Sequence, residues 1–323
     1  MIMRQIFFFF LILFMDTAAH AGATVSYTDR LNRTVDIPVP VQRVVFLQMY
    51  ELLPAMDVWD KVVGVASYVY GVDIIRQVKP DIESYPSVGS GANVNIEAVM
   101  QLKPDLVITW AWDPAPIRFM EAKGIRVIAV YPASIGELFS VMQLMGQVFQ
   151  REETLKTVMD EMNSIFSMIR ERAGKRVEKE KRTMLYLGGK SNSVSCALGI
   201  NHEIMTMIGG VNLAGSIQQQ STEVSLEQLV IWNPEVIFIW PSAGYTEQDI
   251  LNNPQWRHIR AVRDGRVYKL PKESTWSPRL ALAALWMAKK AYPEEYRDID
   301  YVAMADGFYR KLFHIPYQPK ATP

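Results

Sequence analysis

Short runs of uninterrupted apolar residues alternate along the chain with stretches of three- and four-residue apolar spacing. "RVVFL" (43–47), "LVIT" (106–109) and "RVIAV" (126–130) are runs of the first part. Continuous β-branched runs of this length suit strands buried on both faces. Between them, "YELLPAMDVWDKVVGVA" reads as a helix leading into a short strand, "NIEAVMQL" as a helix, and "PIRFMEAKG" as a helix ended by Gly124. Tyr27 to Arg33 reads as a hairpin with its turn at Asp29 to Asn32. Strands alternating with helices predict βα units and a parallel sheet.

One long helical pattern follows. "SIGELFSVMQLMGQVFQ" runs into "REETLKTVMDEMNSIFSMIRERAG", where Leu155, Val158, Met159, Met162, Ile165, Phe166 and Ile169 fall at helical steps. A helix from Glu152 to Arg172 would span about 30 Å, at ~1.5 Å per residue, enough to bridge two lobes.

Beyond it the first pattern restarts. "LKPDLVITW" (102–110) has its echo in "IWNPEVIFIW" (231–240), which aligns Pro104 with Pro234, Asp105 with Glu235 and Trp110 with Trp240. "RTMLYL" matches "RVVFL", "HEIMTMIGGVNLAG" matches "YELLPAMDVWDKVVGVA", and "DGRVYKLP" matches "KGIRVIAVYP". Four units recurring in one order point to an internal duplication. The predicted fold is α/β: two Rossmann-like lobes with central, mostly parallel sheets, joined by a single long α-helix, with a ligand cleft between the lobes. The first lobe is expected over 22–150, the helix over 151–173 and the second lobe over 174–323.

Residues 1–21 carry a different message. "MIMRQ" is followed by the nine apolar residues Ile6 to Phe14 and then by "TAAHA", with Ala19-His20-Ala21 as a small-x-small cleavage pattern. The apolar run is too short to span a bilayer, which needs about 20 residues, so a cleavable signal peptide and a periplasmic protein are expected. Cys196 is the only cysteine, and none follows the apolar run to accept a lipid. The 34 basic and 34 acidic residues balance, which argues against nucleic acid as a partner. The one basic stretch, "GKRVEKEKR" (174–182), reads as a solvated linker.

Candidate chemistry lies at strand ends and helix starts. Pro104 ends a helix and pushes Lys103 towards extended geometry. Trp110 and Trp240 close their strands at the carboxyl end, where open α/β sheets bind ligands, and Trp112 stands beside the first. Tyr50, Tyr68 and Tyr70 would add aromatic lining. Trp276 and Arg279 precede a helix, and the planar fork of Arg279 suits a carboxylate or another oxyanion. Glu97 and Glu227 occupy one position in the two repeats, in first helical turns where they favour the dipole. Asn95 and Ser225 are their candidate caps. With four histidines scattered and no His/Cys cluster, a protein-ligated metal is not expected, and no cofactor is called for. "GGKS" lacks Walker A spacing, no G-x-S-x-G occurs, and no carboxylate pair stands out as a catalytic dyad, so no enzyme activity is expected.

These segments together resemble the periplasmic substrate-binding proteins of bacterial iron-siderophore, haem and cobalamin ABC importers. The carriers are "RVVFL", "DKVVGVASY", "NIEAVMQLKPDLVITW", "KGIRVIAVYP", "SLEQLVIWNPEVIFIW", "DGRVYKLP" and "WSPRLALAALWMAKKAYPE". The resemblance implies two lobes on one rigid helix and a monomer that hands its load to an inner-membrane permease dimer with its ATPase subunits. It makes Glu97 and Glu227 the docking points for arginines of the permease. It places Tyr68 and Trp110 in the pocket, with the loops around Ser193 to Cys196 and around Trp276 from the second lobe; Trp240 and Arg279 join them on the residue chemistry given above. Gly91 and Ser221 stand where some members have tryptophan, which counts against a cobalamin-type pocket. The implied ligand is a metal chelate, foremost a ferric siderophore, whose metal arrives already ligated. Haem, cobalamin and an oxyanion such as molybdate are alternatives in the same fold. A free metal ion or a nitrogenase-like enzyme fits the sequence less well.

Overall fold

A computed structural model describes residues 23–90, 93–271 and 275–319. The expected signal peptide lies outside the described residues. The first lobe contains β1 (Thr24–Thr28), β2 (Thr34–Pro38), β3 (Val44–Phe46), β4 (Val62–Val65), β5 (Gly89–Ser90), β6 (Asn93–Val94), β7 (Leu106–Trp110) and β8 (Val127–Val130). The second contains β9 (Thr183–Leu187), β10 (Ser193–Ser195), β11 (Val211–Asn212), β12 (Ser221–Glu223), β13 (Val236–Ile239) and β14 (Val267–Lys269).

The duplication is legible in the strand register. β4, β3, β7 and β8 form a parallel sheet in that order, and β11, β9, β13 and β14 repeat it. Val44 pairs with Leu106 and Phe46 with Ile108; Met184 pairs with Val236 and Tyr186 with Phe238. Val107 pairs with Val127, as Ile237 does with Val267. The second lobe adds antiparallel β10 and β12 beyond the carboxyl end of β9. That addition forms one wall of the site described below.

Alternation along the strands divides the interior. Met184, Tyr186, Val236 and Phe238 face a large core shared with the first lobe and the long helix, whereas Leu185, Leu187, Ile237 and Ile239 face a smaller core of the second lobe.

The helix-proline-strand units work alike in both lobes. The helix Ile96–Leu102 ends at Lys103 and the helix Leu226–Trp232 at Asn233, both left-handed, with φ 46° and 45°. Lys103 is thus not extended, although Pro104 follows. The left-handed turn lets the Lys103 and Asn233 N–H groups reach the carbonyls of Met100 and Leu229, which closes each helix. The next residue clips the sheet. Asp105 accepts hydrogen bonds from the backbone N–H of Gln42 (3.0 Å) and Arg43 (2.9 Å), and Glu235 from that of Thr183 (2.9 Å).

The long helical pattern is two helices, Ile135–Phe149 and Glu152–Gly174. Gln150 turns left-handed between them, with φ 55°. A Cβ on Gly146 would lie 3.1 Å from Cα of Glu152, so any larger residue there would crowd the turn. The second helix has 23 residues, about 34 Å at ~1.5 Å per residue. The "GKRVEKEKR" stretch that follows is not simply solvated. Arg176 is buried, its guanidinium 3.3 Å above the centre of the Tyr292 ring, its Nη2 2.6 Å from Glu295 and its Nη1 2.9 Å from the Ile208 carbonyl. Burial pushes the Tyr292 phenol up to about 12.

Arg279 is the main departure from the expected site. It is 1 % exposed and directed into the protein, away from the cleft. Its Nε and Nη2 donate to Glu51 Oε2 at 3.0 and 2.8 Å, and its Nη1 donates to Asp73 Oδ1 at 3.0 Å. A guanidinium with two carboxylates within reach is occupied by them before any ligand arrives. It thereby ties the start of the helix Leu280–Ala291 to the first lobe. Arg279→Ala leaves Glu51 buried without its cation, and we expect a loss of about 3–5 kcal/mol in unfolding free energy. Urea unfolding followed by far-UV circular dichroism checks this; a loss under about 1 kcal/mol contradicts it.

Candidate functional site

The carboxyl ends of the strands in both sheets meet at one cleft. β8 leads to Tyr131 and Pro132, β9 to Gly188 and Gly189 and β13 to Trp240, with Thr275 and Trp276 beside them; Trp112, past the end of β7, stacks on Trp110 next to Tyr131. The cleft encloses a cavity of ≈ 260 Å³, lined from the first lobe by Tyr131, Pro132 and Ala133 and from the second by Ser193, Ser195, Asn201, Ser221 and Trp240, with Trp276 between.

The first-lobe side is an aromatic wall. The Trp110 and Trp112 rings stack at 4.3 Å, Trp276 meets Trp110 edge-on at 4.8 Å, and Tyr131 lies 5.5 Å from Trp276. Polar atoms of the wall face its back and fix its shape. Trp276 Nε1 donates to the Pro132 carbonyl (2.9 Å), Trp110 Nε1 to the Tyr68 hydroxyl (3.2 Å), and Tyr68 in turn to the Leu47 carbonyl (2.8 Å). Aromatic pairs of this kind add about 0.5–1.5 kcal/mol beyond their buried area. Burial raises the Tyr131 phenol pKa above its usual value, so it stays neutral.

The second-lobe side is polar and uncharged. The helix Ile200–Met207 starts at Gly199, whose φ of 116° suits only glycine and whose lack of a side chain leaves the first turn without a side-chain cap. Gly199, Ile200 and Asn201 all line the cavity, so this helix start opens onto it. Asn201 Nδ2 donates to Ser195 Oγ at 3.1 Å, which leaves the Ser195 hydroxyl proton available to a ligand. The Asn212 amide holds the Ser195 carbonyl from behind (3.1 Å). Glu203, one turn along the same helix, accepts the Ile135 N–H of the first lobe at 2.7 Å. Among the described lining residues none carries a charged side chain. Among the described residues no group of three or more His, Cys, Asp or Glu is placed to hold a metal ion.

Of the residues named from sequence, Trp240 and Trp276 line the cavity. Trp110 is 7 % exposed and supports the wall from behind, with Tyr68 at its back. Tyr50 packs against Tyr68 at 5.4 Å, and Tyr70 is tied to the Tyr85 carbonyl. Cys196 is buried beside the polar side and bonded to the Val194 carbonyl. Glu97 and Glu227 are exposed on equivalent first helical turns, with Asn95 and Ser225 as caps to Ala98 (3.0 Å) and Gln228 (3.2 Å). The Glu227 carboxyl is held below the usual carboxylate range by its own backbone N–H and by Ser225.

Sequence reasoning missed Tyr131 and Asn201. Tyr131 ends a strand just as Trp110 does, so the strand-end rule would have found it. Asn201 carried no such signal, because Gly199 is not a conventional cap.

Two α/β lobes of one pattern around an inter-lobe cleft define a two-lobed binding protein of the type carried by ABC importers. Residues 44–274 match the family model described as "Periplasmic binding protein", and the chain belongs to that family. It is similar to the molybdate-binding protein MolA of Haemophilus influenzae, at 27% identity over 90% of this chain and 92% of that protein. It is also similar to the vitamin B12-binding protein of Salmonella typhimurium, at 27% identity over 69% and 79%. The solved structure of Helicobacter pylori CeuE with Ni(II) bound superposes with a TM-score of 0.82, at 26% identity over 91% of this chain and 97% of that one. No helix among the described residues is long and apolar enough to cross a membrane.

The different burial of the two tryptophans gives a test. Trp110→Ala removes a buried ring and should cost about 3–5 kcal/mol of stability. Trp240→Ala, at a position 36 % exposed, should change stability by less than about 1 kcal/mol while weakening ligand binding. Paired thermal unfolding and ligand titration check this; equal stability losses contradict the assignment.

Proposed function

We propose that the chain captures a compact oxyanion of the molybdate class in the periplasm and delivers it to an inner-membrane ABC permease. The observation that carries this is the uncapped start of the helix Ile200–Met207, open to the cavity beside Ser195 and Asn201. N–H groups at a helix start, aided by the helix dipole, are a site for an anion. Hydroxyl and amide donors complete a shell that holds charge by hydrogen bonds alone. A cavity of ≈ 260 Å³ is ample for a small tetrahedral anion. The similarity to a molybdate binder agrees with this choice.

One observation favours a second reading, capture of a ferric chelate. Trp112 is 55 % exposed on the aromatic wall and offers an apolar face to a bulky ligand. That ligand needs a wider cleft than the one seen here. In either reading the chain binds, carries and releases without a covalent step, and needs no resident cofactor.

Isothermal titration calorimetry with molybdate, tungstate and a ferric hydroxamate separates the two. Saturable heat is expected from molybdate and tungstate, with Ser195→Ala and Asn201→Ala each weakening affinity by about tenfold or more. Binding of the ferric chelate without any of molybdate overturns the oxyanion reading.

Glu97 and Glu227 fit the role of docking acids for the permease, as the sequence resemblance implies. Glu97→Arg with Glu227→Arg should abolish import and leave ligand affinity unchanged. Normal uptake of molybdate by cells carrying the double variant would remove that role.

A further inference from the structure

The most exposed large apolar residue of the described chain is Ile231, at 74 %. It lies one helical turn beyond Glu227, at the i+4 position and so on the same face, and Val230 at i+3 is 36 % exposed. The first lobe repeats this arrangement in weaker form. Met100 follows Glu97 at i+3 with 38 % exposure, and Gln101 takes the place of Ile231. Neither glutamate belongs to an ion pair among the described residues, whereas many acids elsewhere do.

An exposed isoleucine gains nothing for the folded monomer. Single apolar residues on a surface are ordinary, but two acid-plus-apolar patches at duplicated positions are not a scatter. They fit a partner that presents two related basic patches with apolar surroundings. The membrane partner of a periplasmic binding protein is an ABC permease, and two acids free of ion pairs among the described residues call for basic groups on it.

We propose that Ile231, with Val230, is the apolar anchor of the permease-docking surface, and that the second lobe carries the larger share of the contact. This rests on the docking role given to Glu97 and Glu227 above and deepens it. Charged pairs at an interface steer encounter and fix orientation, while buried apolar side chains slow dissociation. With an acid in each lobe but a strong apolar anchor in only one, the contact made by the second lobe is the slower to break.

The test uses the full mature chain and the permease–ATPase complex of the same importer in nanodiscs, with association read by biolayer interferometry. Ile231→Ser should weaken docking by about tenfold, mainly through faster dissociation, with unchanged molybdate affinity and melting temperature. Gln101→Ser, at the equivalent first-lobe position, should change it less than about twofold. If Ile231→Ser docks like wild type while Glu97→Arg/Glu227→Arg does not, the anchor is refuted and the docking role of the acids stands. If the double variant docks normally and Ile231→Ser does not, the anchor stands and the acids lose their role. Size-exclusion chromatography covers the remaining occupant: a wild-type dimer that Ile231→Ser converts to monomer makes the patch a self-interface and overturns the proposal.

Discussion

The cleft depends on a buried charge cluster at some distance from it. Arg279 reaches from the start of the helix Leu280–Ala291 to Glu51 and Asp73 in the first lobe. Three residues earlier in the same segment, Trp276 enters the aromatic wall and bonds to the Pro132 carbonyl. Ser277 between them is wholly buried, and its hydroxyl accepts the Arg279 N–H. A buried guanidinium has a narrow choice of partners, because any position off its carboxylates leaves charge without solvation. Residues 276–279 are therefore fixed against the first lobe, and the wall with them. The rigid helix Glu152–Gly174 and the contact of Glu203 with Ile135 hold the other side of the cleft at a set distance.

The two halves of the cleft descend from one pattern but do different work. The first lobe keeps the plain four-stranded sheet, and its strand ends carry aromatic rings that offer area and shape. The second lobe inserts β10 and β12 past the end of β9, and these bring Ser193, Ser195 and Ser221 to the cavity. A ligand thus meets dispersion on one side and hydrogen-bond donors on the other. For an anion the donors dominate, since each bond to a charged group contributes about 1.5–3 kcal/mol.

Much of this was legible in the sequence where a local rule applies. Apolar runs gave the strands, Pro104 and Pro234 the helix ends, and the repeated order of units the two lobes. The cap residues Asn95 and Ser225 do what their spacing implies. Two of the failures share a physical cause. The partners of Arg279 lie more than two hundred residues away in the chain, and no spacing rule connects them. The buried face of Arg176 depends on Tyr292 and Glu295, again remote in sequence. The uncapped helix at Gly199 stayed hidden because its signal is the lack of a conventional cap.

We propose above that the open start of the helix Ile200–Met207 holds an oxyanion. Its most direct test is a crystal structure of the protein grown with molybdate, with data collected at the molybdenum absorption edge. A strong anomalous peak is expected beside that helix start, with the molybdate oxygens around it within hydrogen-bond distance of the Ile200 and Asn201 N–H groups and of the Ser195 hydroxyl. A peak against Trp112 and away from that helix, or no peak in the cleft at all, contradicts it.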